Sequence, residues 1–251
     1  MSAVTSNRDA LYPVELDGAC LAVRAPGPGI CRICCGPVED RFEICWSCRQ
    51  VGRGLLRQLC PVTAVSLTTR ATGLYAALKQ YKGQPNSVAR RQRSRLAGLT
   101  AAFLERHGEC AAPGGFEMVA VVPSLQMRAG LHPLAEMLRM VRRLGCPVVD
   151  ALERGPSLIE RNTPSPNAYR CRRGLVEHRR ILLVDDTYTT GAHLHSAAAA
   201  LEDAGASVVH LLVVGRHQDR EWAPTRRLLE WASLPENRWS CERCVRCRGA
   251  D

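Results

Sequence analysis

The segment ILLVDDTYTTGAH (181–193) constrains this chain more than any other. It opens with an unbroken aliphatic run, the mark of a strand buried on both faces. Two acids end the run, and a short polar turn closes on Gly191. GAHLHSAAAALEDAG (191–205) then reads as a helix stopped at Gly205, and SVVHLLVVG (207–215) as a second buried strand. Strand, helix and strand in this order form a βαβ unit, which requires parallel strands.

The remainder agrees with an α/β fold whose parallel sheet is flanked by helices. TGLYAALKQYKG (72–83) carries Leu74, Leu78 and Tyr81 at helical spacing. SVARRQRSRLAGLTAAFLERH (87–107) starts at a capping residue, Ser87, and aligns Leu96, Leu99 and Phe103. HPLAEMLRMVRRLG (132–145) is amphipathic through Leu134, Leu138 and Val141. MVAVVP (118–123) and PVVDAL (147–152) read as further strands. Three parts are expected: an arm and cysteine module over 1–62, the α/β domain over 63–216, and a cysteine-bearing tail over 217–251. No stretch approaches the roughly 20 apolar residues of a membrane span. The first eighteen residues lack the apolar core of a secretory signal. A cytoplasmic protein without membrane insertion is expected.

The turn after the acids has the chemistry of an anion site. Backbone N–H groups and a helix N-terminus can face a phosphate there. Thr189 and Thr190 add hydroxyls, and Gly191 lets the backbone approach closely. The position, at the carboxyl end of a strand in an open α/β sheet, is where ligands bind. Two carboxylates beside a phosphate would repel it unless a sugar intervenes. A ribose 5-phosphate meets that condition, with its phosphate in the turn and its hydroxyls on Asp185 and Asp186.

These residues resemble a known motif. ILLVDDTYTTG is similar to the phosphoribosyl-pyrophosphate (PRPP) motif of type I phosphoribosyltransferases. LYAALKQYKG (74–83) resembles the Leu-Lys-x-Tyr-x-Gly segment of the ComF-type, competence-associated branch, which also carries an N-terminal zinc ribbon. The likeness covers roughly residues 31–216. It implies a type I phosphoribosyltransferase-like sheet and a PRPP site at Asp185, Asp186, Thr187, Tyr188, Thr189, Thr190 and Gly191. It also implies a pyrophosphate loop from Ser124 to Gly130, with Arg128. The activity implied is transfer of ribose 5-phosphate from PRPP, as its Mg2+ complex, to an acceptor. Three departures stand out, one of them a Thr-x-x-Gln-like segment shortened to ERNTPSPNAYRC (160–171). Thr189 occupies a position where some members carry an acid–base carboxylate. Ala129-Gly130-Leu131-His132-Pro133 replaces an Arg-Gly-Phe-Asn-Gln-like run. The divergent pyrophosphate loop favours a second reading, a non-catalytic adaptor in DNA uptake or processing that binds single-stranded DNA or a protein partner, whereas the intact Asp-Asp and Thr-Thr-Gly favour the first.

Thirteen cysteines in a chain without a secretory signal read as metal ligands before disulfides. Cys31-x2-Cys34 and Cys45-x2-Cys48, ten residues apart, have the spacing of a structural zinc site. Cys35 adjoins the first pair as a competitor. Cys241, Cys244 and Cys247 form a candidate second metal site, with a fourth ligand sought among Cys20, Cys35 and Cys60. A disordered thiol-rich tail is the rival. Cys110, Cys146 and Cys171 stand alone and read as structural, and His193 and His195 as solvated helix positions.

The formal charge is +10, and Lys79 and Lys82 are the only lysines in a chain otherwise basic through arginine. Codon bias accounts for this, as does affinity for phosphates or nucleic acid. Lys79, Lys82, Arg90, Arg91, Arg93 and Arg95 run without an intervening acid, and Arg170 to Arg180 form a second basic stretch. Each is either a solvated face or a track for single-stranded nucleic acid.

Overall fold

A computed structural model describes residues 19–83, 86–124, 132–141, 144–160 and 163–247. In chain order they form α1 (Trp46–Leu55), β1 (Val62–Thr68), α2 (Gly73–Gln80), α3 (Ser87–Ala111), β2 (Met118–Val121), α4 (Pro133–Arg139), β3 (Val148–Val149), β4 (Leu152–Arg154), β5 (Tyr169–Cys171), α5 (Arg173–Val176), β6 (Arg180–Tyr188), α6 (Ala192–Asp203), β7 (Ser207–His217) and α7 (Ala223–Ser233). The five-stranded sheet has the order β1-β7-β6-β2-β3, and its pairings are all parallel. The α/β expectation is therefore met. No helix among the described residues is long and apolar enough to cross a membrane.

Strand periodicity explains the layers. Along β6, Ile181 and Leu183 pack into one core with Leu211 and Val213 of β7 and with α6 and α1. Leu182 and Val184 pack into a second core with Leu212 and Val214 and with α2, α3 and α4. Side chains that alternate between two cores make the unbroken aliphatic runs of a sheet covered on both faces. α6 is rich in alanine because its backbone lies close over the sheet, and Ala197, Ala199 and Leu201 are buried there.

Three details depart from the sequence reading. α3 is capped by Asn86, whose Oδ1 accepts from the Ala89 N–H at 2.9 Å, one residue before the expected Ser87. PVVDAL is not one strand. Val148–Val149 joins the sheet as β3, while Leu152–Arg154 leaves it to pair antiparallel with β5. β1 was not anticipated at all. Its segment VTAVSLT is buried throughout, but the hydroxyls of Thr63, Ser66 and Thr68 interrupt the aliphatic run that marks a buried strand. As an edge strand it uses them. Ser66 Oγ donates to the Leu21 carbonyl at 3.0 Å and accepts from the Leu21 N–H at 2.9 Å.

Candidate functional site

β6 and β2 are neighbours, but the chain leaves them in opposite directions: β2 leads through α4 to β3, and β6 through α6 to β7. This is a topological switch point, where the carboxyl ends of parallel strands open a crevice. The crevice is an open cleft lined by residues 185–193 together with Lys79, Lys82, Ser124, His132 and Arg216. The PRPP-like segment, the Lys-x-Tyr segment and the first residue of the expected pyrophosphate loop are thus brought together. Arg128 and Gly130 lie outside the described residues.

The two acids are not equivalent. Asp186 continues the Leu182 and Val184 side of the strand, toward α2. It is buried, and one carboxylate oxygen accepts from the Tyr81 hydroxyl and pairs with Lys82. Burial, then the Asp186 charge, pushes the Tyr81 hydroxyl well above its ordinary range, so it stays a donor. The Lys-x-Tyr segment therefore anchors Asp186, a role its helical pattern did not announce. Asp185 has neither partner; its carboxylate accepts from the Asp186 N–H at 2.8 Å. Burial and the neighbouring Asp186 charge push its carboxyl up to about 7.

That shift sets a pH signature. An unfolded Asp185 releases its proton near 3.8, whereas the folded one keeps it to about pH 7. Between these values the folded chain holds the extra proton, so stability falls as pH rises, and the loss is complete above about 7. Asp185→Asn removes the titration. Its melting temperature is expected to exceed that of the wild type at pH 8 by about 2–4 °C per kcal/mol relieved, and to match it near pH 4. Equal melting temperatures at pH 8 would show that the carboxylate is not under this stress.

The turn that follows is a helix start. Gly191 is the N-cap of α6 at φ 88° and brings no side-chain acceptor of its own. The first-turn N–H groups and the positive end of the helix face the turn. The left-handed φ suits glycine, and a Cβ there would lie 2.1 Å from the Tyr188 hydroxyl. A larger residue would therefore crowd Tyr188. Tyr188 itself turns inward. Its hydroxyl is 3.4 Å from Cys48 Sγ and 3.5 Å from His195 Nε2.

The N-terminal cysteines lie directly behind this turn. Cys31, Cys34, Cys45 and Cys48 bring their four sulfurs within 4.8 Å of one another, an arrangement able to bind a metal such as zinc. Cys34 and Cys45 Sγ are 3.8 Å apart, close to the edge of about 3.8 Å in a tetrahedron with bonds near 2.3 Å. Cys45 is the N-cap of α1 and Cys48 sits in its first turn, while the Cys45 N–H donates to Cys31 Sγ at 3.3 Å. Cys35 is excluded from the set. It faces a third core with Ile30, Leu67 and Leu228, and burial pushes its thiol up to about 12.

Arg216, from β7, joins the two features. Its buried guanidinium donates to the Thr189 carbonyl at 2.9 Å and the Tyr188 carbonyl at 3.3 Å. On the other side it donates to the Cys34 carbonyl at 3.3 Å and lies 3.5 Å from Cys34 Sγ. A Cβ on Gly36 would meet it at 2.6 Å, so glycine leaves its space open. The other thiols of the tetrad, then Arg216, hold the Cys34 thiol well below its ordinary range. Sequence reading missed Arg216 because a lone arginine at a strand end has no distinguishing pattern.

The tail cysteines do not meet this cluster. Cys244 and Cys247 instead converge with His107 and Cys110 of α3, again within 4.8 Å. Cys241 is not part of that group, nor are Cys20, Cys35 or Cys60, and Cys110 is not isolated. His195 is buried rather than solvated, and burial pushes it down to about 4. His193 Nδ1 meets the Tyr169 hydroxyl at 2.8 Å. His132, in the cleft wall, accepts from the Leu134 N–H through Nδ1, which leaves its buried Nε2–H without a partner among the described residues.

The basic stretches do not form one face. Lys79 and Lys82 line the cleft, Arg90 and Arg91 are exposed, and Arg93 ties the Tyr81 carbonyl to Glu136 of α4. In the second stretch Arg172, Arg173 and Arg179 pair with Glu153, Glu177 and Glu117. Arg180 donates to the carbonyls of Pro113 and Gly115.

No protein-family model matches the chain, and no curated protein matches it. Among solved structures it is similar to adenine phosphoribosyltransferase from Leishmania donovani, at 16% identity over 70% of this chain and 79% of that one, with a TM-score of 0.38. It is similar to the adenine enzyme from Trypanosoma brucei, at 10% identity over 61% of this chain and 85% of that one, with a TM-score of 0.38. It is also similar to glutamine PRPP amidotransferase from B. subtilis, at 18% identity over 55% of this chain, with a TM-score of 0.34. The match spans only 30% of that last enzyme's length. Superposition at this level does not transfer an activity.

Proposed function

We propose that the cleft binds PRPP or a ribose 5-phosphate, with the phosphate on residues 187–191 and the sugar hydroxyls on the acid pair. One observation carries this reading. A buried strand delivers two carboxylates, and a polar turn at a glycine-capped helix start, into a single cleft that also holds Lys79 and Lys82. Anion donors, sugar acceptors and lysine cations thus line one cleft. The resemblance of the turn to the PRPP motif, and of the Lys79-x-Tyr81 segment to the ComF-type branch, supports it.

In the transfer reaction, leaving of pyrophosphate puts positive charge on the anomeric carbon. A Mg2+ held on the pyrophosphate would supply neutralisation of the leaving group. The chain's own part is electrostatic: hold the 5-phosphate, orient the ribose and keep Asp185 and Asp186 beneath the sugar. Trp46 and Trp222 put exposed indoles in the same cleft wall, a surface suited to a planar acceptor. Thr189 at the position of a carboxylate favours binding over proton transfer by the turn. A zinc ion on the N-terminal tetrad would be structural, since four protein ligands leave no position open.

The test is calorimetric titration with Mg2+–PRPP, ribose 5-phosphate and inorganic phosphate. PRPP is expected to bind best. Asp185→Asn and Asp186→Asn should each weaken PRPP by about 1.5–3 kcal/mol, roughly tenfold to hundredfold, and phosphate far less. Equal losses for PRPP and phosphate would remove the sugar from the acids. No PRPP binding at millimolar concentration would remove the proposal.

A further inference from the structure

We propose that His107, Cys110, Cys244 and Cys247 form a second zinc site, which clamps the C-terminal segment over edge strand β1. The ligands come in two pairs from distant parts of the chain. His107 and Cys110 lie three residues apart on α3, and so on one face of that helix. Cys244 and Cys247 lie on a tight turn, closed by the Cys247 N–H to the Cys244 carbonyl at 3.2 Å. Cys110 and Cys244 Sγ are 3.6 Å apart, and His107 Nδ1 lies 3.1 Å from Cys247 Sγ. The 3.6 Å separation is close to the sulfur–sulfur edge of about 3.8 Å in a zinc tetrahedron, whereas Cys110 and Cys247 Sγ stand 2.9 Å apart and have to spread to admit the ion. Three thiolates and an imidazole are a zinc donor set.

The imidazole carries independent information. Its Nε2 is 2.7 Å from the Cys241 carbonyl. A carbonyl only accepts, so Nε2 bears the proton, and the Nδ1 lone pair faces the thiols. A ring held by an outer carbonyl with its bare nitrogen turned inward is in the state a metal-binding histidine needs. Cys241 therefore serves through its carbonyl, not its sulfur. The sulfurs are supported too: the Arg246 N–H donates to Cys244 Sγ at 3.2 Å, as the Cys45 N–H does to Cys31 in the first tetrad. A Cys110–Cys247 disulfide would use two of the four ligands and leave both the histidine's orientation and Cys244 unexplained.

With four protein ligands the zinc would be structural, and the tail shows what it secures. β1 ends the sheet, so its outer backbone groups need cover. The Trp239 indole N–H donates to the Val65 carbonyl at 2.8 Å, and Arg246 Nε to Thr63 Oγ1 at 3.3 Å. Trp239 is the one large apolar side chain of residues 238–247 that enters the second core. So short a segment buries too little to order itself, and metal binding supplies the missing free energy.

Elemental analysis of the full chain, purified under reducing conditions, should give two zinc ions per chain. His107→Ala and Cys244→Ser should each give one. Both should speed proteolytic cleavage between α7 and residue 247. His107→Cys, which keeps four ligands, should retain two ions and wild-type resistance. This last variant separates loss of a ligand from a folding defect. One zinc per wild-type chain, or two that survive His107→Ala, would overturn the site. So would a Cys110–Cys247 disulfide in the unreduced digest. None of these outcomes bears on PRPP binding, which the titrations above decide separately.

Discussion

Cys34→Ser is expected to damage the proposed phosphate turn as well as the cysteine segment, because Arg216 contacts both. The Arg216 guanidinium is buried, and Cys34 Sγ at 3.5 Å is the tetrad sulfur it contacts. Removing one partner of a buried charged pair costs about 3–5 kcal/mol, since the other is left uncompensated. For a domain with a total stability of about 5–15 kcal/mol, that loss is severe. Denaturant unfolding should show it, and PRPP affinity should fall in the protein that remains folded, because Arg216 also holds the Thr189 and Tyr188 carbonyls. Stripping metal with a strong chelator should act in the same direction. Adding Arg216→Met to Cys34→Ser should recover part of the stability by removing the stranded charge, but not the PRPP affinity. A Cys34→Ser protein with wild-type stability and affinity would refute this coupling.

Gly191→Val is expected to abolish measurable PRPP binding, a loss beyond a hundredfold or about 2.7 kcal/mol. Two effects combine. At φ 88° a residue with a Cβ is strained by about 1–2 kcal/mol. The Cβ itself would overlap Tyr188, whose hydroxyl and ring carbons lie 2.1–2.9 Å away. Tyr188 cannot yield easily, because Cys48, His195 and the Arg216 guanidinium surround it. The turn must move instead, and the N–H donors move with it. Gly205→Ala is the control. Gly205 has a similar φ of 85°, but the nearest atom to its Cβ would be Glu177 Cγ, on a flexible side chain at 3.2 Å, at the far end of α6. It should lose stability and keep PRPP affinity. If both variants bind PRPP equally, the turn is not the phosphate site.

The sequence by itself determined the parts whose chemistry is local. An aliphatic run alternating between two cores must be a central parallel strand, so β6, α6 and β7 were legible, as were the acids and the turn at their end. Paired cysteines three residues apart announced the first tetrad for the same reason: each pair is made by one tight turn. The edge strand β1 was not legible, since its Ser66 and Thr63 hydroxyls find partners as distant as residue 21 and residue 246. Nor were the distant partnerships. His107 with Cys247, Tyr81 with Asp186, and Arg216 with Cys34 and Thr189 join residues far apart along the chain. No period or spacing links such residues. Only the sheet order, which sets β7 beside β6, and the packing of α2 and α3 over one face bring their charges and lone pairs to bonding distance.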